Sequence, residues 1–174
     1  MDLRKRTILI TGNPGSGKST LMARLIEDIG CRHITGLSTP EIRVSKVRVG
    51  FKIVDLATGD EAILARNSGK GPTIGKYHVD VEAIDRIVAK IELSLPSASF
   101  VFIDEIGKME LLSNRFKEFL YRVFSLEKPV IAVVHRNLVR KYEDKGRLFN
   151  LTRSEFEKVR AEILAEIKSW RPNV

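Results

Sequence analysis

The stretch that decides the fold lies near the N-terminus, where residues 7–20 read TILITGNPGSGKST. Its first part, Thr7–Thr11, is a short apolar segment that predicts a β-strand. Glycines and a proline follow, and Lys18–Ile29 then repeats apolar residues at the spacing of an amphipathic helix. A strand, a glycine-rich turn and a helix in this order predict a phosphate-binding loop, or P-loop, in a mostly parallel sheet.

The residue types of this loop suit a nucleoside triphosphate. Its glycines allow backbone N–H groups to surround phosphate oxygens without Cβ clashes, and the following helix directs its positive end at the same anion. Lys18 is predicted to contact the β- and γ-phosphates, and the Ser19 hydroxyl to coordinate Mg²⁺. The predicted nucleotide-binding residues of the loop are Gly12, Asn13, Pro14, Gly15, Ser16, Gly17, Lys18, Ser19 and Thr20.

A second motif is the apolar strand pattern FVFID at residues 100–104, followed by Glu105. An apolar strand that ends in a carboxylate is the Walker B pattern, so Asp104 is predicted to share the Mg²⁺ ion with Ser19. Glu105 is then placed to orient or deprotonate an attacking water, which makes it a predicted catalytic residue together with Lys18. Because residues 104–107 also fit Asp-x-x-Gly, the nucleotide site is predicted to extend over Ile106, Gly107 and Lys108.

The remaining patterns predict an α/β chain. Further strands are expected at residues 33–37, 100–104, 130–134 and 147–151, and further helices after Asp80 and over residues 113–126 and 152–170. Thr152 and Glu155 have the spacing of a capping box. Residues 42–65 alternate β-branched and basic residues, which predicts an inserted antiparallel β segment, and the glycine-rich residues 66–78 predict a loop.

Composition favours a single domain over residues 1–174, with ordinary globular hydrophobicity of 43%. No apolar run approaches the ~20 residues of a membrane span, and no export signal is recognisable, so we expect a cytoplasmic protein without membrane contact. The lone cysteine, Cys31, excludes an intrachain disulfide. The net charge of +8 attracts polyanions, but it is scattered along the chain, so nucleic-acid binding is possible and not favoured.

Residues 104–111, DEIGKMEL, resemble the signature of the small P-loop nucleoside-triphosphatases, a family that includes thermostable NTPases and vertebrate cancer-related nucleoside-triphosphatases. Residues 36–43, 50–54 and 75–80 resemble further segments of that family in order and spacing. The resemblance implies a RecA-like P-loop fold, with a mostly parallel central sheet between helices. It also implies Mg²⁺-dependent hydrolysis of several NTPs to NDP and phosphate, with weak base preference. One departure is that residues 151–156 lack the Asn-Arg pair usual in the family, and Arg153 is a candidate substitute.

Two other functions fit the same motifs. A small-molecule or nucleotide kinase would use the basic loop at Arg66, Lys70 and Lys76 for a phosphorylated acceptor. A nucleic-acid-dependent NTPase would use the positive charge, although no aromatic-rich strand for base stacking is present.

Several further residues are weaker candidates for the site. Glu41 and Arg43 are expected to pair with each other or to reach the γ-phosphate. Tyr77 could stack on a base, and Arg136, which follows His135 after a predicted strand, could act as an arginine finger in cis.

Overall fold

The computed structural model describes residues 6–30 and 32–170, so the expectation for Cys31 falls outside the described residues. The strands are β1 (Thr7–Thr11), β2 (Ile34–Ser38), β3 (Glu41–Val44), β4 (Val47–Asp55), β5 (Glu61–Arg66), β6 (Thr73–Ile74), β7 (Tyr77–Val79), β8 (Phe100–Ile106), β9 (Val130–Val134) and β10 (Arg147–Asn150). The helices are α1 (Lys18–Ile29), α2 (Val81–Ser94), α3 (Asn114–Ser125), the short α4 (Val139–Tyr142) and α5 (Phe156–Ser169). None of these helices is long and apolar enough to span a bilayer.

One sheet carries all the described strands, in the order β10-β1-β9-β8-β2-β4-β5-β7-β6, with β3 paired to β4 alone. The half from β10 to β2 is parallel, and the half that begins at β4 is antiparallel. Because β9 lies between β1 and β8, the carboxyl ends of β1 and β8 face a common crevice, which is where open α/β sheets bind ligands.

Two apolar layers cover the sheet, one on each face. Along β1, Ile8 and Ile10 belong to the layer formed with α1 and α5, whereas Leu9 belongs to the layer formed with α2 and α3. This alternation is the period of two expected of a strand that is buried on both faces. The predicted arrangement, a mostly parallel sheet with helices on both faces, is therefore confirmed.

The inserted β segment differs from the prediction in extent. It runs from β3 through β7, and β4 pairs directly with β2, so the insertion widens the central sheet. The predicted loop at residues 66–78 includes β6 and most of β7, which pair as a short hairpin. These strands are too brief for a sequence pattern to reveal them.

Helix ends follow the predicted chemistry in two places and depart from it in one. Asp80 caps α2 by accepting from the Ala83 N–H at 2.9 Å, and Gly30 ends α1 in the left-handed conformation. The capping box predicted at Thr152 and Glu155 does not form, because a 3₁₀ turn over Arg153–Glu155 precedes α5 and the Thr152 side chain caps no N–H.

Candidate active site

The P-loop joins β1 to α1 and folds around its own lysine. The Lys18 ammonium donates to the carbonyls of Gly12 at 2.8 Å and Asn13 at 3.0 Å. Gly15 and Gly17 have φ values of 75° and 98°, in the left-handed region that favours glycine. The loop thus holds its amides and one cation around a concave surface at the positive end of α1, which suits phosphate.

Gly12 marks the tightest point of the loop. A Cβ there would stand 2.5 Å from the Leu151 carbonyl oxygen and 2.7 Å from the Ser16 hydroxyl. The segment after β10 therefore packs directly beneath the loop, and only glycine permits that approach.

Two carboxylates complete the site from the end of β8. The Ser19 hydroxyl donates to the Asp104 carboxylate, so an oxygen pair suitable for Mg²⁺ is already assembled. Burial raises the pKa of Asp104, while Ser19 and Lys18 oppose that rise. Burial also raises the pKa of Glu105 to about 7, the charge of Asp104 adding to the effect and Lys18 opposing it. A carboxyl poised near neutrality can accept a proton from water at physiological pH.

A third carboxyl, Glu110, was missed by the sequence analysis. It is 4% exposed and lies at the same cavity, where burial raises its pKa to about 8. The Thr39 hydroxyl, which donates to the Asp104 carbonyl at 3.1 Å, opposes that rise in the pKa of Glu110. A Cβ on Gly107 would stand 2.7 Å from Glu110 Oε2 and 3.1 Å from Glu105 Oε1. Glu110 lies inside the DEIGKMEL run, but neither the Walker B pattern nor Asp-x-x-Gly assigns it a role, and the turn after β8 brings it back to the site.

The cavity has a volume of about 620 Å³ and gathers most of the predicted residues. Those lining it are Gly12, Pro14, Gly15, Gly17, Lys18, Ser19, Thr20, Asp104, Glu105 and Lys108. Ile106 is fully buried in the core, and its carbonyl accepts from the His135 N–H at 3.0 Å. Its side chain packs in the core at the end of β8, so any contact of Ile106 with a nucleotide would come from its backbone.

Three of the weaker candidates are held by contacts with other side chains: Glu41 and Arg43 form an ion pair, and Tyr77 accepts a hydrogen bond. Glu41 holds Arg43 at 2.6 Å and Arg48 at 3.0 Å, so the predicted Glu41–Arg43 pair is present. Arg48 also donates to the Tyr77 hydroxyl at 2.9 Å, which fixes a ring that is 5% exposed. Lys76 lines the cavity, whereas the other two cations of the predicted basic loop do not.

Two arginines, from the segments that follow β9 and β10, contact the P-loop. Arg136 and His135 follow β9 and line the cavity, and Arg136 donates to the Asn13 side chain at 3.1 Å. Burial lowers the pKa of His135, and the neighbouring cations, Arg136 first, add to that effect. Arg153 follows β10 and donates to the Gly15 carbonyl at 2.7 Å. Both cations therefore touch the loop that would carry the triphosphate.

Comparisons with known proteins agree with this geometry. Residues 7–164 match the sequence model of a family described as NTPase. The chain is 42% identical to the nucleoside-triphosphatase THEP1 of Methanocaldococcus jannaschii, over 92% of this chain and 96% of that protein. It is 41% identical to THEP1 of Pyrococcus abyssi, over 91% of this chain and 90% of that protein.

Solved structures give the same result. The crystal structure of THEP1 from Aquifex aeolicus superposes with a TM-score of 0.80 at 27% identity, over 91% of this chain and 97% of the other. The solution structure of a human cancer-related nucleoside triphosphatase superposes with a TM-score of 0.72 at 26% identity, over 96% and 100%. The resemblance found in residues 104–111 is confirmed, and the chain belongs to this family of P-loop NTPases, the nucleoside-triphosphatases.

Proposed function

We propose that this NTPase cleaves the bond between the β- and γ-phosphates of several NTPs, with Mg²⁺ held by Ser19 and Asp104 and with Glu105 as the general base. The observation that carries the proposal is the position of Glu105. It lines the cavity that Lys18 enters, directly after the metal-binding carboxylate, with its pKa raised to about 7.

The residues divide the work by their chemistry. Lys18 and the loop amides neutralise the β- and γ-phosphates, and Glu105 accepts the proton of the attacking water. Ser19 and Asp104 offer the hard oxygen ligands that Mg²⁺ prefers, and a bound ion would offset the charge that develops on the phosphate oxygens. Lys108, exposed at the cavity wall, supports the γ-phosphate.

Phosphate release in buffer alone tests the proposal. The protein is incubated with Mg²⁺ and ATP, GTP, CTP or UTP, without any acceptor. Lys18→Ala should abolish release, and Glu105→Gln should lower kcat by about 100-fold or more, the scale of a positioned base. Calorimetry should show that Glu105→Gln still binds Mg·ATP, and the exposed Glu127→Gln serves as the matched control.

Two outcomes would replace the proposal with another function. Release that begins only after a hydroxyl-bearing acceptor is added indicates a kinase. Stimulation of more than about tenfold by RNA or DNA indicates a nucleic-acid-dependent enzyme, since contact with a polyanion would then control turnover.

A further inference from the structure

The catalytic cavity extends past the phosphate loop into a space built by the inserted strands. We term this space the insertion chamber, and its side chains come from β4, β5 and the β6–β7 hairpin. They are Arg48, Phe51, Leu64, Ile74, Lys76 and Tyr77. The proposed hydrolysis requires a phosphate loop, a metal ion and a water, so none of these six residues has a role in it.

The order of the strands places the chamber beyond the γ-phosphate. Asp104 and Glu105 lie near the end of β8, and β4 lies two strands further along the sheet. Because β4 is antiparallel to β2, its first residues lie at the edge that carries the site. In the proposed function, on which this step rests, the P-loop and the start of α1 hold the α- and β-phosphates. The nucleoside therefore lies on the P-loop side of the γ-phosphate, and the chamber lies on the other side.

The floor of the chamber is apolar and partly aromatic. Leu64 and Tyr77 are 1% and 5% exposed, and the half-buried Phe51 and Ile74 pack against the same core layer. The rings of Phe51 and Tyr77 meet edge-on, with centroids 5.3 Å apart. Apolar and aromatic side chains with a few convergent polar groups are the usual lining of a small-molecule site.

One cation of the chamber is Arg48, which is fixed in place. Its Nε donates to the Tyr77 hydroxyl at 2.9 Å and its Nη1 to Glu41 at 3.0 Å. The guanidinium carbon lies 5.3 Å from the centroid of the Phe51 ring, within the range of a cation–π contact. Glu41 also pairs with Arg43 at 2.6 Å, so one carboxylate serves two arginines and positive charge remains for a ligand.

The second cation is Lys76, in the turn of the β6–β7 hairpin. Its ammonium lies 5.5 Å from the centroid of the Tyr77 ring, and the side chain is exposed. Within residues 6–30 and 32–170 it forms no ion pair. Two cations above an apolar floor favour a ligand that has an anionic head and an apolar body.

We propose that the insertion chamber binds a second small molecule, an organic anion with an aromatic body, beside the γ-phosphate of the nucleotide. The anionic head pairs with Arg48 and Lys76, and the body packs on Phe51. An organic cation is repelled by the same two side chains, and an inorganic anion gains nothing from the floor. A ligand in this position also restricts the space from which water reaches the γ-phosphate, so it should slow hydrolysis.

Calorimetry with phenylphosphonate tests the proposal, because this compound joins one anionic head to one aromatic ring. The P-loop is first saturated with Mg²⁺ and β,γ-imido-ATP, so that the phosphonate cannot bind there. Phe51→Ala should raise the Kd of phenylphosphonate about tenfold, the scale of burying part of one aromatic side chain. Lys76→Glu, at an exposed position, should raise it about fivefold.

Three comparisons show whether the whole chamber is responsible. Methylphosphonate should bind about tenfold more weakly than phenylphosphonate, and Phe51→Ala should leave its Kd unchanged. Benzylammonium, which has the ring but the opposite charge, should not bind. Tyr121→Ala is the control variant, because Tyr121 is 80% exposed on α3 and does not line the cavity.

A Kd for phenylphosphonate that is the same in the wild type, Phe51→Ala and Lys76→Glu would overturn the inference. Equal affinity for benzylammonium, or no binding of phenylphosphonate at millimolar concentration, would overturn it as well. In the hydrolysis assay phenylphosphonate should lower kcat for Mg·ATP without raising KM, whereas competition with ATP would place it in the P-loop and refute the second site. If the unaltered protein releases no phosphate, the proposed function fails on its own, and the calorimetric Kd values still decide the inference.

Discussion

The buried carboxyl of Glu110 should make the stability of this protein depend on pH in an unusual direction. Glu110 is 4% exposed, and burial raises its pKa from 4.5 to about 8, while Glu105 and Asp104 contribute further negative charge. The folded protein therefore holds a proton on this group at pH values where the unfolded chain has lost it. Replacing Glu110 by Gln keeps the shape of the side chain and removes the titration.

The sign follows from proton binding. Between pH 4.5 and about 8 the folded state binds more protons at this site than the unfolded state, so the free energy of unfolding falls as pH rises. The contribution of Glu110 to the free energy of unfolding is most favourable at and below pH 4.5, the pKa of this group in the unfolded chain. It is lost by about pH 8. Each pH unit inside this window is worth up to ~1.4 kcal/mol, so the wild-type protein should lose roughly 3–4 kcal/mol relative to Glu110→Gln between pH 5 and 8.

Urea unfolding in EDTA measures this difference without bound Mg²⁺. Both proteins are unfolded at pH 5, 6, 7 and 8, and the free energy of Glu110→Gln minus that of the wild type is plotted against pH. We expect a steady rise. The exposed Glu127→Gln gives the baseline, because a change at a solvated position should leave the corresponding difference flat.

A flat or falling difference for Glu110→Gln would refute the reasoning. It would mean that Glu110 ionises in the folded protein near its ordinary pKa, because water or a cation stabilises its charge.

Three further predictions follow from the site and the sheet. Gly107→Ala should lower kcat about tenfold with an unchanged urea midpoint, because its Cβ would stand 2.7 Å from Glu110 Oε2 and 3.1 Å from Glu105 Oε1. An unaltered kcat would contradict this prediction. The kcat/KM for Mg·ATP should rise with pH and reach half of its plateau near pH 7, since Glu105 accepts a proton only as a carboxylate, and Glu105→Gln should remove that rise. Gly36→Ala should destabilise the fold by about 3 kcal/mol or more. Gly36 has a φ of +126°, and a Cβ there would stand 1.7 Å from the Phe102 carbonyl oxygen. A urea midpoint equal to that of the wild type would rule this prediction out.

The sequence by itself determined the elements whose signals are local. β1, α1 and β9 have the predicted bounds, because an apolar run or a 3.6-residue period needs no distant partner to be recognised. The P-loop and the two carboxylates near the end of β8 could also be proposed as site residues from the sequence, since their spacing along the chain is itself the chemical requirement.

Tertiary structure alone decided which distant residues meet at the P-loop. Glu110 reaches Glu105 because the chain turns back after β8, and Arg153 and Phe156 reach Gly15 and Gly17 because β10 pairs with β1. The insertion joined the central sheet for the same reason, through the pairing of β4 with β2. Strand pairing links residues far apart in the chain, and no local pattern specifies the partner. The phosphate loop was therefore predictable from its own residues, whereas the packing around the loop placed the third carboxyl.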